Sequence, residues 1–179
     1  MWYSHMQGGM RMRFELARDD HFSPTLMRGG PIANRLLAAL PEAALAAVMA
    51  SVEEVPLVAR RMLQEANAPL ASLYFISEGL VSLTMSVGHC DDVETALVGP
   101  EGAVGAALVL GNASPPWRAN VQVAGRAWRM PYAHLMAVMD MHPAFAHLLS
   151  RYVASCLYES AQNVACASRH TIEIGRAHV

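Results

Sequence analysis

The sequence predicts a mainly β protein with α: an eight-stranded double-stranded β-helix, or jelly roll, flanked by short N-terminal helices and a long C-terminal dimerisation helix. Three observations lead to this fold class. Hydrophobic residues make up 54% of the 179 residues and charged residues 16%, which suits one compact core. A middle block of short runs rich in β-branched and aromatic residues is interrupted by turn formers at regular spacing. Apolar residues on both sides of this block recur every three or four positions, as in helices.

The N-terminal helices and the strands follow in order. Asn34 is a residue type that caps helices, and the helical spacing after it ends near residue 50, with Pro41 at the start of a second short helix. The period then changes to that of strands. The predicted strands span residues 53–58, 60–65, 72–76, 79–87, 93–98, 103–110, 119–124 and 126–130.

Four glycines are predicted to shape the connections between these strands. Gly79 is expected at a hairpin turn, and Gly99 and Gly102 in a tight connection where positive φ is needed. Gly105 opens an apolar stretch, where the missing side chain lets a ligand or a neighbouring strand approach the backbone closely.

The last third of the chain returns to helical spacing. A short helix is predicted over 132–141, a break at His142-Pro143, and a long helix from residue 144 to about 169. An apolar seam on the long helix fits a symmetric dimer, in which a second copy covers it; the alternative is that the whole seam packs on its own domain. The predicted dimer-interface residues are Phe145, Leu149, Tyr152, Cys156 and Val164.

Composition excludes several classes of function. The formal net charge is −2 and all 13 basic residues are arginine, so no overall basic excess favours DNA, and mechanisms that need a lysine are excluded. The three cysteines, Cys90, Cys156 and Cys166, lie far apart and indicate neither a disulfide framework nor a structural zinc site. With no secretory signal and no apolar stretch long enough to span a bilayer, we expect a cytoplasmic protein without membrane contact.

No metal or catalytic site is predicted. Residues 89–94 gather several ligand types at an expected hairpin tip, but no distant partner closes a metal site around them. No nucleophile has an identifiable base and orienting acid, so we expect no enzyme.

Three motifs in order carry a resemblance to a known family. They are NRLLAALP at 34–41, LYFISEGLVSL at 73–83 and LVGPEGAVG at 97–105. Together they resemble the sensor half of the Crp/Fnr transcription regulators, which has the cyclic-nucleotide-binding fold, over about residues 34–173. The third motif is similar to that of an atypical branch.

The resemblance implies a ligand site of five residues: Gly105, Ala106, Ala107, Arg118 and Ala119. In cyclic-nucleotide binders a glutamate at the position of Ala106 holds the ribose, an arginine at that of Arg118 neutralises the phosphate, and a hydroxyl stands where Ala119 is. The missing groups imply that a cyclic nucleotide, or another small anionic effector, binds weakly. An alternative for Arg118 is a surface arginine that shields the mouth of the barrel.

The resemblance also implies the partners and the domain organisation. The implied partners are a second copy of the chain, an unknown small-molecule effector and DNA. In the family, DNA is contacted only through a C-terminal winged helix, and we do not find that segment after Glu173. The alternatives are a stand-alone small-molecule-binding or protein-interaction module and, more remotely, a cupin-like enzyme. The predicted segments are 1–33, tag-like or irregular; 34–142, the β-roll domain; 143–173, dimerisation helix and hinge; and 174–179, an atypical tail.

Overall fold

The computed structural model describes residues 32–87, 92–111 and 114–169. Two short helices lead into a β-roll, and two further helices follow it, in the order that the sequence predicts. The helices are α1 (Arg35–Ala38), α2 (Glu42–Met49), α3 (Tyr132–Met141) and α4 (Pro143–Arg169), with a 3-10 helix at Ala106–Leu110. The strands are β1 (Glu53–Leu57), β2 (Met62–Gln64), β3 (Ser72–Ser86), β4 (Asp92–Val98), β5 (Ala103–Val104) and β6 (Arg118–Pro131).

The mainly β fold class is confirmed, with six described strands where eight were expected, three of them longer than predicted and three shorter. The six described strands form one antiparallel sheet in the order β1-β6-β3-β4, with β2 paired to β6 and β5 to β3. Two pairs of predicted strands are continuous: 72–76 with 79–87 in β3, and 119–124 with 126–130 in β6. The predicted strand 103–110 is wrong beyond Val104, because the chain turns there into the 3-10 helix.

The two long strands bend together at a pair of facing glycines. Gly79 has φ +96°, and a Cβ on it would lie 2.5 Å from the carbonyl oxygen of Val123. A Cβ on Gly125 would overlap the carbonyl of Glu78. The register of β3 against β6 shifts around this point, so the strands change direction without separating. The hairpin turn expected at Gly79 is therefore wrong: the glycine lies at a bend inside one strand.

The core consists of two apolar clusters. The first joins the helices to the sheet, and in it the rings of Phe75 and Phe145 lie 6.3 Å apart. The second, which we call the roll cluster, lies within the β-roll. Its buried members are Leu57, Ile76, Val81, Val98, Val104, Ala119, Val121 and Ala127, with Val55, Leu63, Tyr74 and Leu83 packed against them.

The predicted segment boundaries remain predictions. The predicted tail, 174–179, lies outside the described residues. So does the predicted N-terminal segment, 1–33, except for residues 32 and 33. The division between 34–142 and 143–173 falls at His142, between α3 and α4, where the predicted break is confirmed.

Candidate functional site

Asn34 anchors the N-terminal helices to the roll. Its Oδ1 accepts hydrogen bonds from the N–H groups of Leu36 and Leu37, both at 3.1 Å, so the predicted helix cap is confirmed. Its Nδ2 donates to the carbonyls of Ile76 at 2.8 Å and Gly102 at 2.9 Å. Asn34 is fully buried, and its side chain uses both ends to link α1, β3 and the turn before β5.

The turn at 99–102 leads from β4 to β5. The N–H of Gly102 donates to the carbonyl of Gly99 at 3.0 Å, and the N–H of Gly99 donates to Glu101 Oε1 at 2.8 Å. The positive φ expected at Gly99 and Gly102 is wrong, because neither adopts it. Gly102 is instead required by space, since a Cβ there would lie 2.6 Å from the hydroxyl of Tyr152 on α4.

Gly105 starts the 3-10 helix that carries two more of the predicted ligand residues, Ala106 and Ala107. Its φ is +94°, and a Cβ on it would lie 2.8 Å from the carbonyl oxygen of Ser72 on β3. The close backbone approach expected at this glycine is therefore present, toward a neighbouring strand. Ala106 and Ala107 are half-buried, and Leu108 after them is part of the first core cluster.

Arg118, the predicted anion-binding residue, is paired within the chain. Its guanidinium forms an ion pair with Asp92 at the start of β4, and Asp92 also accepts a hydrogen bond from the hydroxyl of Ser86. These two hydrogen bonds, first that from Ser86 and then that from Arg118, hold the pKa of Asp92 below its ordinary value. The charge of Arg118 is thus balanced by a carboxylate whose ionised form is favoured.

Ala119 and Arg118 lie on opposite faces of β6. Ala119 is fully buried in the roll cluster, whereas the side chain of Arg118 is 38% exposed. Val104, the residue before Gly105, belongs to the same cluster as Ala119. Val104, next to Gly105, and Ala119 therefore share one apolar cluster, whereas the exposed Arg118 lies outside it; a single site formed by all five predicted residues stays a prediction.

Gln64 on β2 is a polar residue of this interior that the sequence reasoning missed. It is the cross-strand partner of Ala119, and its Nε2 donates to the carbonyl of Trp117 at 3.2 Å. In the sequence, Gln64 is a glutamine within a short predicted strand. Because glutamine is usually exposed, this pattern did not indicate a buried side chain.

The predicted interface residues on α4 divide between two environments. Phe145 and Leu149 are fully buried in the core of their own chain, which leaves them no surface for another copy. Tyr152 hydrogen-bonds to Ala103, and burial raises the pKa of Tyr152 as well as that of the half-buried Cys156 thiol. Val164 is 70% exposed. The interface itself stays a prediction, and the predicted residue that is largely exposed in the single chain lies toward the C-terminal end of α4.

The exposed side of α4 carries its own apolar residues. Ala154, Leu157, Tyr158 and Ala161 line a shallow, almost entirely apolar hollow of about 370 Å³. Leu157 is 65% exposed. We call Ala154, Leu157, Ala161 and Val164 the outer seam, because their spacing of three and four residues places them along one side of the helix.

No group of three or more His, Cys, Asp or Glu residues within 32–87, 92–111 and 114–169 is placed to hold a metal ion. Of the polar stretch 89–94 that was weighed as a metal site, residues 89–91 lie outside these ranges. Within the same ranges, no helix is both long enough and apolar enough to span a membrane.

Comparison with solved structures identifies the fold. The chain superposes on the catabolite activator protein of Thermus thermophilus with a TM-score of 0.63 and 17% identity, covering 74% of this chain and 62% of that one. The c-di-GMP responsive regulator CLP of Xanthomonas campestris gives 0.64 and 12%, covering 73% and 66%. The sensor domain of the regulator DNR of Pseudomonas aeruginosa gives 0.57 and 14%, covering 80% and 90%.

These similarities confirm the cyclic-nucleotide-binding-like sensor fold that the motifs predicted. The chain spans less than two thirds of the length of the first two structures and 90% of the DNR sensor domain. The compared proteins are transcription regulators rather than enzymes. No protein-family model matches the sequence, and no curated protein does. At 12–17% identity the likeness is one of fold.

Proposed function

We propose that this chain is the effector-sensing and dimerisation domain of a Crp/Fnr-like transcription regulator, acting in the cytoplasm. The observation that carries the proposal is the outer seam on α4, in a fold shared with the sensor domain of a regulator. A sensor domain of this kind needs a site for a small molecule and a surface that passes its occupancy to a partner subunit. The described residues offer a candidate for each.

The outer seam has the pattern of a two-stranded coiled coil. Ala154 and Ala161 are seven residues apart, as are Leu157 and Val164, so the two pairs occupy the a and d positions of a heptad repeat. Leu157 and Val164 are largely exposed in the single chain. A second copy related by a two-fold axis would bury both seams at once, and the small alanines would let the helices approach closely.

The opposite side of α4 holds the helix to the roll. Phe145 and Leu149 pack in the first core cluster, and the hydroxyl of Tyr152 bonds to Ala103 at the start of β5. Ala103 lies two residues before Gly105, which starts the 3-10 helix. One face of α4 is therefore tied to the candidate ligand site and the other is left for a partner.

The effector site we propose lies between the start of the 3-10 helix, at Gly105 to Ala107, and Ala119. Arg118 flanks it and is balanced by Asp92. An anionic effector would have to compete with this carboxylate, and no glutamate or hydroxyl stands at Ala106 or Ala119. Weak binding of cyclic nucleotides follows from both features.

The arginines of β6 offer little to DNA. Three arginines of β6 are each paired with carboxylates: Arg118 with Asp92, Arg126 with Glu54 and Glu78, and Arg129 with Glu53. An arginine that is already paired with a carboxylate displaces few counterions when it contacts a DNA phosphate, so it adds little to the affinity for DNA. Together with the formal net charge of −2, this pairing supports DNA contacts supplied from outside the described residues.

Sedimentation of the chain tests the proposal. We expect a dimer at micromolar concentration, and Leu157→Glu or Val164→Glu should yield monomers, because a charge at a d position opposes burial of the seam. Val123→Glu, a comparable change at an exposed valine of β6, should leave the dimer intact. A wild-type monomer, or a dimer unaffected by both seam variants, would contradict the proposal.

A further inference from the structure

The buried amide of Gln64 has an unused hydrogen-bond acceptor. Gln64 is 7% exposed, and its Nε2 donates to the carbonyl oxygen of Trp117 at 3.2 Å. Its Oε1 is buried and has no hydrogen-bond partner among the described residues. Rotating the amide by half a turn would set the oxygen against the Trp117 carbonyl, so the free atom is the oxygen. Such an acceptor lowers the stability of the fold unless something donates to it.

This oxygen lies in the apolar interior beside the candidate ligand site. Gln64 is the cross-strand partner of Ala119 on β6, and such partners share one face of the sheet. Ala119 is fully buried in the roll cluster, which also contains Val121 and Leu83. On this face of the sheet Gln64 therefore borders apolar side chains. Its own Oε1 is the free acceptor, and the methyl group of Ala119 lies opposite it on β6.

The interior does not complement an anion. Arg118 lies on the other face of β6 and is paired with Asp92. The ionised phosphate of a cyclic nucleotide presents only acceptors, so donation to the Gln64 oxygen would have to come from its ribose hydroxyl or base N–H while the phosphate charge enters the same interior. Moving that charge into an apolar interior without a free cation would also be costly. An uncharged molecule with a hydroxyl or N–H group avoids both problems.

We propose that the roll interior beside Ala119 binds a small uncharged molecule, whose O–H or N–H group donates a hydrogen bond to Oε1 of Gln64. The apolar remainder of the molecule packs against Ala119 and its neighbours in the roll cluster. This inference rests on the proposed sensing function and assigns a chemical class to its effector. It makes Gln64 the residue that selects for a donor.

Phenol and anisole are the probes, because they differ only in a methyl group that replaces the hydroxyl hydrogen. In an NMR titration of the full chain, phenol should shift the side-chain amide signals of Gln64 and the backbone amide signal of Ala119. Anisole should bind at least about tenfold more weakly, since it has no donor. Gln64→Leu should weaken phenol binding by about the same factor. Gln162→Leu, which removes an exposed glutamine amide of α4, should not.

Several results would overturn the inference. These are equal binding of phenol and anisole, no shift at Gln64 with phenol, an ordered water as the only occupant, or cyclic AMP binding that depends on Gln64. The phenol and anisole comparison uses the wild-type chain, so it stands even if Gln64→Leu fails to fold. The dimer measured by sedimentation is independent: if it forms while phenol fails to bind, only the present inference is lost.

Discussion

The side-chain hydroxyl of Tyr152 hydrogen-bonds both polar atoms of the Ala103 backbone. It accepts from the N–H at 3.0 Å and donates to the carbonyl at 3.1 Å. The two residues are 49 positions apart, one on α4 and the other at the start of β5. The contact also explains Gly102, whose missing side chain leaves room for the tyrosine hydroxyl. It joins the helix proposed for dimerisation to the segment that leads into the candidate ligand site.

Tyr152→Phe should destabilise the chain. The substitution keeps the ring but leaves the N–H and the carbonyl of Ala103 without this partner, which costs about 1–3 kcal/mol of unfolding free energy. Urea denaturation at fixed protein concentration measures it. Tyr158→Phe on the exposed side of the same helix is the control and should change the value by less than about 0.5 kcal/mol. Equal effects of the two variants would show that the Tyr152 contacts contribute nothing.

Gly125→Ala should be far more damaging than Gly111→Ala. A Cβ on Gly125 would overlap the backbone of Glu78, and neither strand can move without breaking the bend. We expect a loss above roughly 4 kcal/mol or failure to fold. Gly111 has φ +77° but open space around it, so alanine there should cost only about 1–2 kcal/mol. Thermal unfolding of both variants is the measurement, and a well-folded Gly125→Ala protein would contradict the described bend.

These contacts also show why sequence patterns predicted the elements better than their arrangement. Helical spacing located α1 to α4, because each helix buries one side against the sheet and its periodicity is local. The glycines that bend β3 and β6 have the same local sequence signature as glycines in turns. Only the partner strand distinguishes the two, as the pairing of Gly125 with the Glu78 backbone demonstrates.

The candidate site was harder to predict because its contacts join distant residues. Arg118 begins β6, one residue before the predicted strand, and its ion pair with Asp92 spans 26 positions. The position of Gln64 beside the candidate site is visible only from the pairing of β2 with β6, which sets it opposite Ala119. On α4, a single apolar pattern contained two faces, one packed in the core by Phe145 and Leu149 and one left exposed at Leu157 and Val164. Periodicity alone could not assign each residue to its face.

Cyclic AMP should bind weakly or not at all. Ala106 and Ala119 lack the groups that would hold the ribose and the phosphate, and each missing charge-assisted hydrogen bond costs roughly 1.5–3 kcal/mol, or one to two decades in affinity. Isothermal calorimetry with cyclic AMP and cyclic GMP checks this expectation. Micromolar cyclic AMP binding that survives Arg118→Ala would place the anion site elsewhere.

The chain of 179 residues should not select a DNA sequence. Its formal net charge is −2, and the arginines of β6 that could face phosphates are paired with carboxylates. A mobility-shift assay with random genomic fragments, at low and at physiological salt, measures this. Any retardation should be unselective and vanish at the higher salt. A fragment bound selectively at physiological salt would refute the expectation.

Cysteine cross-linking at Ala161 tests the central claim, a parallel dimer through the outer seam, most directly. In a background with Cys90, Cys156 and Cys166 changed to serine, Ala161→Cys puts a thiol at an a position, where two copies would meet across the two-fold axis. Glu159→Cys, on the opposite side of the same helix, is the control. We predict rapid conversion of Ala161→Cys to a covalent dimer under mild oxidation and little from Glu159→Cys. Cross-linking at equal rates, or none at position 161, would contradict the account.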